Sequence, residues 1–469
     1  MEHGKVSRRT FLKTLAAGGG LALLGACGAA PGAPSGASSG TSSGAAGATA
    51  PAQASGGPVT IRFMTHNILE NPAGQYLQEI VDEFMEVHPT IKVQIEGVPN
   101  ADVLTKLTTA AQANDLPDII CGQNVNVSGF DNLNAALDIT QFIEEAGIAD
   151  QYFPSMLAAC RTQDGRTLGL PLYSGTDALY YRADMFEEVG LDPDNPPKTW
   201  DELVEVAKAL TDPSKGRYGF GFYGKTHFPN RMINMMINAG PDGELMKYDQ
   251  ASDKYAIHVN SPDSQRAWQF ISDLALTHKV VPPNIVEMDY PANVSAFAGG
   301  NVAMLLTGPW GARTFIGTNP DIEGKFRVGQ HPTPTGEPGS LVQLPAIFGI
   351  GRTSAHPEEA FTFLKWITLD RNIIWNAKSG YGPVVKAALE APEIQNDPLL
   401  PTFIAQSERA VLPPYLIFLK EIGRINDTWG PEYQAALTGA KSVEEATNAA
   451  ANGIKEILGD RAEMPFPTA

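Results

Sequence analysis

The chain has 469 residues, of which 43% are hydrophobic and 18% are charged, and its formal net charge is -18 at pH 7. The first 26 residues hold four Lys or Arg and one Glu, so the remainder carries a formal charge of about -21. So acidic a surface repels phosphates, which disfavours nucleic acids and anionic lipids as partners. The length exceeds what one hydrophobic core usually organises, so we expect two lobes.

The first 27 residues have the pattern of an export signal. Positions 7–13, SRRTFLK, place two adjacent arginines before a short apolar run, as in twin-arginine signals that an export receptor recognises. Positions 24–27, LGAC, resemble a bacterial lipobox, in which the signal (1–26) is cleaved before Cys27 and the Cys27 thiol is lipidated. A membrane-spanning helix over 15–26 is the alternative, but this run is too short to cross about 30 Å of hydrocarbon.

From position 28 to 57 every residue except Gln53 is Ala, Gly, Ser, Thr or Pro. This composition offers almost no apolar surface to offset conformational entropy, so it predicts a flexible tether. Together with a lipidated Cys27, such a tether (27–57) would hold an exported protein at the outer face of the cytoplasmic membrane.

Two further cysteines, Cys121 and Cys160, follow the tether. Exported proteins can form disulfides, but neither cysteine lies in a disulfide-dense framework. The sequence therefore favours two free thiols, although it leaves their pairing open.

Apolar periodicity after the tether alternates between strand and helix. Strands are predicted at 59–66, 91–95 and around 119–120, and helices at 77–84 and 103–107. This order is typical of a mainly parallel sheet covered by helices on both faces.

In such sheets, ligands bind beyond the carboxyl ends of the strands, near His66, Asn67, Gln123 and Asn124 in this chain. The side-chain amides of Asn67, Gln123, Asn124 and Asn126 both donate and accept hydrogen bonds, which suits the recognition of hydroxyl groups. Surface turns use the same residue types, so a structural role is the alternative.

Helix signals continue towards the C-terminus. Thr199 with Glu202, and Ser442 with Glu445, form capping boxes that each predict the start of a helix. Residues 358–369 form a further amphipathic pattern.

Several stretches resemble one family, the extracellular solute-binding proteins (family 1) of ABC sugar importers, which have a maltose-binding-protein-like fold. In this chain they are LYYRADMFEEVGLDPDNPPKTWDELVEVAKAL (179–210), AFAGGNVAMLLTGPW (296–310), SAHPEEAFTFLKWI (354–367), SGYGPVV (379–385) and KSVEEATNAAANGIKEIL (441–458). The resemblance implies an α/β, two-lobed, periplasmic-binding-protein-like fold of type II, with discontinuous lobes joined by a hinge.

The order in which chain segments form the two lobes in this family implies an N-terminal lobe at 58–175 and 345–382. It implies a C-terminal lobe at 176–344 and 383–469. It also implies a carbohydrate held in the cleft between the lobes and a hinge closure that an ABC permease senses.

A sugar presents flat C–H faces and a rim of hydroxyls, so its site needs aromatic planes and fixed polar groups. Trp310 resembles the stacking tryptophan of the family, with packing between the lobes as the alternative. Tyr381 and Tyr173 lie where the chain is expected to cross the hinge, and Asp177 is in the same loop as Tyr173. Phe228 precedes an apolar helix at a place where the family often offers a ring.

Two departures from the family put the number of stacked sugar rings in doubt. Many members have Gly-Gly-aromatic before the strand at 347–350, but this chain has Leu344-Pro345-Ala346. Many also place an aromatic after the third strand, where this chain has Gly122-Gln123-Asn124.

Other motifs favour structural interpretations. Residues 219–224 match G-x-G-x-x-G, but their alternating aromatics predict a strand rather than a dinucleotide-binding turn. Tyr180 and Tyr181 suggest the ligands of ferric-binding proteins, yet adjacent strand residues point to opposite faces. The sequence contains no HExxH or CxxC, and no G-x-S-x-G follows a predicted strand to form a nucleophile elbow, so it predicts no metal site, no cofactor and no serine hydrolase.

The sequence thus predicts a monomeric, membrane-tethered, non-enzymatic receptor that delivers a mono- or oligosaccharide to ABC permease subunits. One alternative keeps the fold but binds a polyol, a phosphorylated metabolite or ferric ion. The second alternative is an exported carbohydrate-active enzyme, which would need two carboxylates flanking the bond to be cleaved.

Overall fold

The computed structural model of the protein describes residues 57–122, 127–225, 230–407 and 409–468. Within these residues, no helix combines the length and the apolarity needed to span a bilayer. Four β-sheets are present in this part of the chain, and each contains two to five strands.

The largest sheet has the strand order β2-β1-β3-β11-β4. Its strands are β1 (Val59–Thr65), β2 (Ile91–Gly97), β3 (Ile119–Cys121), β4 (Leu170–Tyr173) and β11 (Ala346–Ile350). The first three pair in parallel, as the alternation of strands and helices predicts, with Phe63 opposite both Ile95 and Ile119. The strand β11 returns from far along the chain and pairs antiparallel with both β3 and β4.

The other strands form three smaller sheets, ordered β8-β5-β9, β13-β7-β6 and β10-β12. Their bounds are β5 (Ala178–Arg182), β6 (Met246–Asp249), β7 (Lys254–Ile257), β8 (Met304–Thr307), β9 (Phe326–Gly329), β10 (Leu341–Val342), β12 (Ala410–Val411) and β13 (Ala462–Glu463).

Helices cover these sheets. In the first part of the chain they are α1 (Ala73–Val87), α2 (Val103–Ala113), α3 (Val127–Asn132), α4 (Thr140–Ala146), α5 (Pro154–Ala158), α6 (Ala183–Glu188), α7 (Trp200–Leu210), α8 (Asn230–Ala239) and α9 (Pro262–Leu276). The later helices are α10 (Tyr290–Gly299), α11 (Gly311–Thr318), α12 (Pro357–Lys365), α13 (Asn372–Ser379), α14 (Pro392–Gln395), α15 (Leu400–Ser407), α16 (Pro414–Phe418), α17 (Ile422–Leu437) and α18 (Val443–Leu458). Both predicted capping boxes are present, at the starts of α7 and α18.

Buried apolar side chains separate into distinct cores. One core surrounds the five-stranded sheet and draws its side chains from 61–173 and from 346–417. Two further clusters surround the sheets that contain β5, β7 and β8, with side chains from 178–342 and from 403–458. Because burial of apolar surface is the main driving force of folding, separate cores define separate lobes. The fold is therefore α/β and two-lobed, with lobes that are discontinuous in sequence.

The segments that connect the cores lie against one another. Ser174 and Gly382 exchange two backbone hydrogen bonds, at 2.9 and 3.0 Å, and the Ser174 hydroxyl donates to the Leu344 carbonyl at 3.3 Å. A Cβ at position 382 would lie 2.3 Å from the Ser174 carbonyl oxygen, so this close approach requires glycine. Three stretches of chain from distant parts of the sequence thus meet at one place, which has the topology of a hinge.

Two sequence expectations need correction. Residues 219–224 form no regular strand; Gly221 makes only an isolated bridge to Leu305, because three glycines interrupt the aromatic alternation. The amphipathic segment 358–369 is not one α-helix, since α12 continues into a π-helical turn, Trp366–Asp370.

Cys121 and Cys160 are both buried, and neither forms a disulfide within the described chain, as the sequence favours. Cys121 ends β3, and Cys160 donates to the Met156 carbonyl at 3.4 Å.

Replacing Ser442 by Ala should destabilise the protein by about 1 kcal/mol, because the Ser442 hydroxyl accepts a hydrogen bond from the Glu445 backbone amide at the start of α18. Urea unfolding followed by circular dichroism measures the change. Ser442→Thr is the control, since threonine keeps the hydroxyl. Equal stabilities of the alanine and threonine variants would contradict this role of the cap.

Candidate functional site

Four aromatic rings form a continuous cluster where the two lobes meet. Tyr381 lies at its centre: its ring centroid is 4.1 Å from that of Tyr173, 5.3 Å from that of Trp375 and 5.8 Å from that of Trp310. Tyr173, Trp375 and Tyr381 belong to the core of the five-stranded sheet. Trp310 follows β8, a strand of the other lobe, and packs against that first core as a partly buried residue.

The backbone around Trp310 brings it close to the hinge. Gly308 and Pro309 lead from β8 to Trp310, which immediately precedes α11. A Cβ at position 175 would lie 2.5 Å from Pro309 and 3.1 Å from the Trp310 indole, so only glycine permits this contact. The hinge segment and the indole are therefore positioned by the same close approach.

A carboxylate, Glu70, lies beside the ring cluster. It follows the short helical turn Asn67–Leu69, which His66 separates from the end of β1. Glu70 Oε2 accepts hydrogen bonds from the Tyr381 hydroxyl at 2.5 Å and from Asn67 Nδ2 at 3.3 Å. Burial raises the pKa of Glu70, and these two hydrogen bonds oppose the change. Glu70 was not predicted as a site residue from the sequence. Its place shortly after β1, four residues beyond His66, could have suggested it.

His66 connects the ring cluster to the end of β3. Its Nδ1 lies 3.2 Å from Cys121 Sγ, and its Nε2 lies 3.1 Å from the Tyr173 hydroxyl. The imidazole is only 2% exposed, and burial lowers the pKa of His66 to about 3. A neutral imidazole offers one donor and one acceptor nitrogen, so His66 fixes the Tyr173 ring without placing a charge under it.

The other lobe contributes a buried ion pair. Arg231 Nη2 lies 3.4 Å from Asp177 Oδ1, and its guanidinium stacks 3.9 Å above the Tyr223 ring. Asn234 donates to Asp177 at 3.3 Å, and Arg231 donates to the Thr307 hydroxyl at 3.4 Å. The charge of Asp177 is therefore matched by a guanidinium that is itself held on an aromatic face.

Tyr290, the first residue of α10, is partly buried and packs against the core that contains Tyr180 and Phe315. Its hydroxyl donates to Thr314 at 3.2 Å. Burial raises the pKa of Tyr290, and the hydrogen bond to Thr314 opposes the change. Neither Tyr290 nor Tyr223 was predicted from the sequence, because nothing in their local sequence distinguishes them from core residues.

The structure brings together four of the predicted site residues: Trp310, Tyr381, Tyr173 and Asn67. The Asn67 side chain is fully buried, accepts a hydrogen bond from Thr65 and donates to Glu70, so its amide positions Glu70. Asp177 lies in the hinge segment between β4 and β5, paired with Arg231. The remaining predicted positions lie outside the described residues; they are Cys27, Gln123, Asn124, Asn126 and Phe228.

The amino-acid sequence matches the model of the bacterial extracellular solute-binding protein family over residues 69–373. The chain belongs to this family. The resemblance seen in the sequence motifs is thereby confirmed, and the two cores joined by a hinge are the architecture of a solute-binding protein.

Relatives among characterised proteins share part of the sequence. The maltotriose-binding protein of Pyrococcus abyssi is 24% identical over 371 residues, covering 77% of this chain and 74% of that protein. The lactose-binding protein of Rhizobium radiobacter is 26% identical over 266 residues, covering 54% of this chain and 57% of that protein.

Solved structures agree with the fold. A solute-binding protein of an ABC transporter from Thermotoga lettingae, bound with α-D-tagatose, is 26% identical and superimposes with a TM-score of 0.74 over 86% of this chain and all of that chain. A maltose-bound protein of T. maritima has a TM-score of 0.74 at 23% identity, over 85% of this chain and all of that one.

Replacing His66 by Gln should make the stability of the folded protein less dependent on pH below about 6.5. The folded protein holds His66 neutral, so the unfolded chain gains a proton on this residue as the pH falls from about 6.5 towards 3, and folding loses stability over that interval. Melting temperatures at several pH values between 7 and 4 would test this. We expect the wild-type melting temperature to fall more steeply than that of the variant, and parallel profiles would contradict the account.

Proposed function

We propose that this protein captures a carbohydrate, either a mono- or an oligosaccharide, between its lobes and delivers it to the permease of an ABC importer. The observation that carries this proposal is the ring cluster in which Trp310 of one lobe packs beside Tyr381 of the other. Rings from both lobes, with Glu70 beside them, offer the aromatic faces and the hydrogen-bond acceptor that a sugar requires. The named ligands of the relatives, maltotriose and lactose, support the same class of ligand.

Capture depends on two arrangements of the lobes. A sugar that contacts both lobes stabilises the closed arrangement by its greater affinity for that state. We place the N-terminal lobe at 58–175 and 345–382, and the C-terminal lobe at 176–344 and 383–469. The contacts of Val384 and Ile394 with the first core support extending the N-terminal lobe to include 383–394.

The cell envelope provides the setting. The twin arginines and the lipobox-like sequence support export by the Tat route, cleavage before Cys27 and lipid anchoring at Cys27. We propose that the anchored protein acts as a monomer. Residues 28–57 then tether the binding lobes to the membrane near the permease.

The charge distribution favours a ligand without phosphate. Arg231 pairs with Asp177, and Arg313 pairs with Asp397 at 3.3 Å, so both of these arginines already have carboxylate partners. A phosphate would have to displace one of these carboxylates. For ferric ion, the described residues contain no group of three or more His, Cys, Asp or Glu placed to hold a metal. We therefore propose a non-enzymatic receptor for a carbohydrate, with a polyol as the nearest alternative.

A thermal-shift screen of the purified full-length protein against neutral mono- and oligosaccharides and polyols tests the proposal. Sugar binding to the folded state should raise the melting temperature as the sugar concentration increases. No shift with any sugar would contradict carbohydrate capture, and shifts with polyols alone would support the alternative.

Replacing Trp310 by Ala should weaken binding of the most stabilising sugar about tenfold, which is about 1.4 kcal/mol, because the indole plane is lost. Trp310→Phe keeps an aromatic plane and should lose less affinity. Isothermal titration calorimetry gives both values. Equal affinities of the alanine variant and the wild type would show that the indole packs between the lobes without contacting the ligand.

A further inference from the structure

Among the described residues, the Glu70 carboxylate has no Lys or Arg partner. Its nearest basic side chain is His66, whose Nε2 lies 3.8 Å from Glu70 Oε1. Burial holds that imidazole neutral by lowering the pKa of His66 to about 3, so His66 supplies no positive charge. Within the described chain, no Lys or Arg lies within 4 Å of Glu70.

Four basic side chains of the described chain are paired with other carboxylates. Arg231 pairs with Asp177, Arg313 with Asp397, Lys225 with Asp289 at 3.3 Å and Lys378 with Glu79 at 3.2 Å. The internal segments that the structure does not describe, QNVN at 123–126, THFP at 226–229 and Glu408, contain no Lys or Arg. The ring cluster therefore borders one uncompensated negative charge.

The surroundings of Glu70 favour a positive charge. A carboxylate beside the hydroxyl edge of Tyr381 attracts an ammonium group by direct charge interaction and by a charge-assisted hydrogen bond. Although 38% of the Glu70 side chain is exposed, the rings displace bulk water around it and raise the pKa of Glu70. A bound cation would offset the free-energy cost of keeping the partly buried Glu70 carboxylate charged.

We infer that the ligand of this site carries a protonated amine that pairs with Glu70, which makes the preferred carbohydrate an amino sugar or an amino polyol. This inference rests on the proposed function and narrows its substrate class. Tyr381 and Asn67 both donate to Oε2 of Glu70, so Oε1 is the oxygen left to accept from the ammonium group.

Matched ligands test the inference on the purified full-length protein at pH 7. Each set holds a neutral sugar, its 2-amino form and its N-acetyl form: glucose, glucosamine and N-acetylglucosamine, with the corresponding galactose and mannose sets. Sorbitol and its 1-amino form make a fourth pair. We expect at least one amine to bind ten times more tightly, by calorimetry, than its neutral and N-acetyl counterparts.

Glu70→Gln should reduce that preference to less than threefold, because glutamine keeps the size of the side chain and removes its charge. Glu86→Gln, on the exposed surface of α1, is the matched control and should keep the tenfold preference. If Glu70→Gln does not fold, the wild-type comparison alone decides the question.

The outcomes separate the two proposals. Binding of neutral sugars without any preference for the amine would overturn the amino-sugar inference and leave carbohydrate capture standing. An amine preference that survives in Glu70→Gln would also overturn it, since the charge would then be recognised elsewhere. Absence of binding by every sugar, neutral or amino, would overturn both proposals.

Discussion

The packing of the Trp310 indole beside the Tyr381 ring is the contact on which the site depends. The indole follows a strand of one lobe, and the tyrosine belongs to the core of the other, so this contact exists only when both lobes are folded and the hinge holds them together. Offset aromatic pairs of this kind contribute about 0.5–1.5 kcal/mol. Contacts with a ligand can replace a pair of this strength. The pair is nevertheless strong enough to hold the two rings in position.

The hinge constrains the same region. Ser174 and Gly382 pair through their backbones, and Gly175 permits the approach of Pro309 and Trp310. Hydrogen bonds between the connecting segments keep the pivot fixed while side chains on either side can separate. The polar groups behind the rings, His66 and Asn67, then orient Tyr173 and Glu70 from within the first lobe. In the proposed function, the binding groups are thus pre-arranged in each lobe, and closure brings them together.

Sequence patterns predicted much of the fold. Alternating apolar residues located β1 and β2, and the capping boxes at Thr199 and Ser442 marked the starts of α7 and α18, because these signals are local. The breaks in the pattern, such as the irregular segment at 219–224, arise from glycines that a periodicity count overlooks. The family resemblance supplied the order of the lobes, which no local pattern contains.

The site was less accessible to sequence reasoning. Trp310 was indicated by its resemblance to the stacking tryptophan of the family, and Tyr381 and Tyr173 by their places near expected hinge crossings. The partner of Tyr381, however, is Glu70, 311 residues away along the chain. A hydrogen bond over such a separation follows from tertiary packing, so Glu70 could be suggested only by its place after a strand. Asn67 was predicted to bind ligand hydroxyls because its side chain is an amide. In the structure this side chain is buried, and it donates a hydrogen bond to Glu70.

The most direct measurement is a crystal structure of the protein with the carbohydrate that raises its melting temperature most. The account predicts a sugar ring in van der Waals contact with the Trp310 indole, with a polar group of the sugar within hydrogen-bond distance of Glu70. A sugar bound away from Trp310, with the indole still packed against Tyr381, would contradict it.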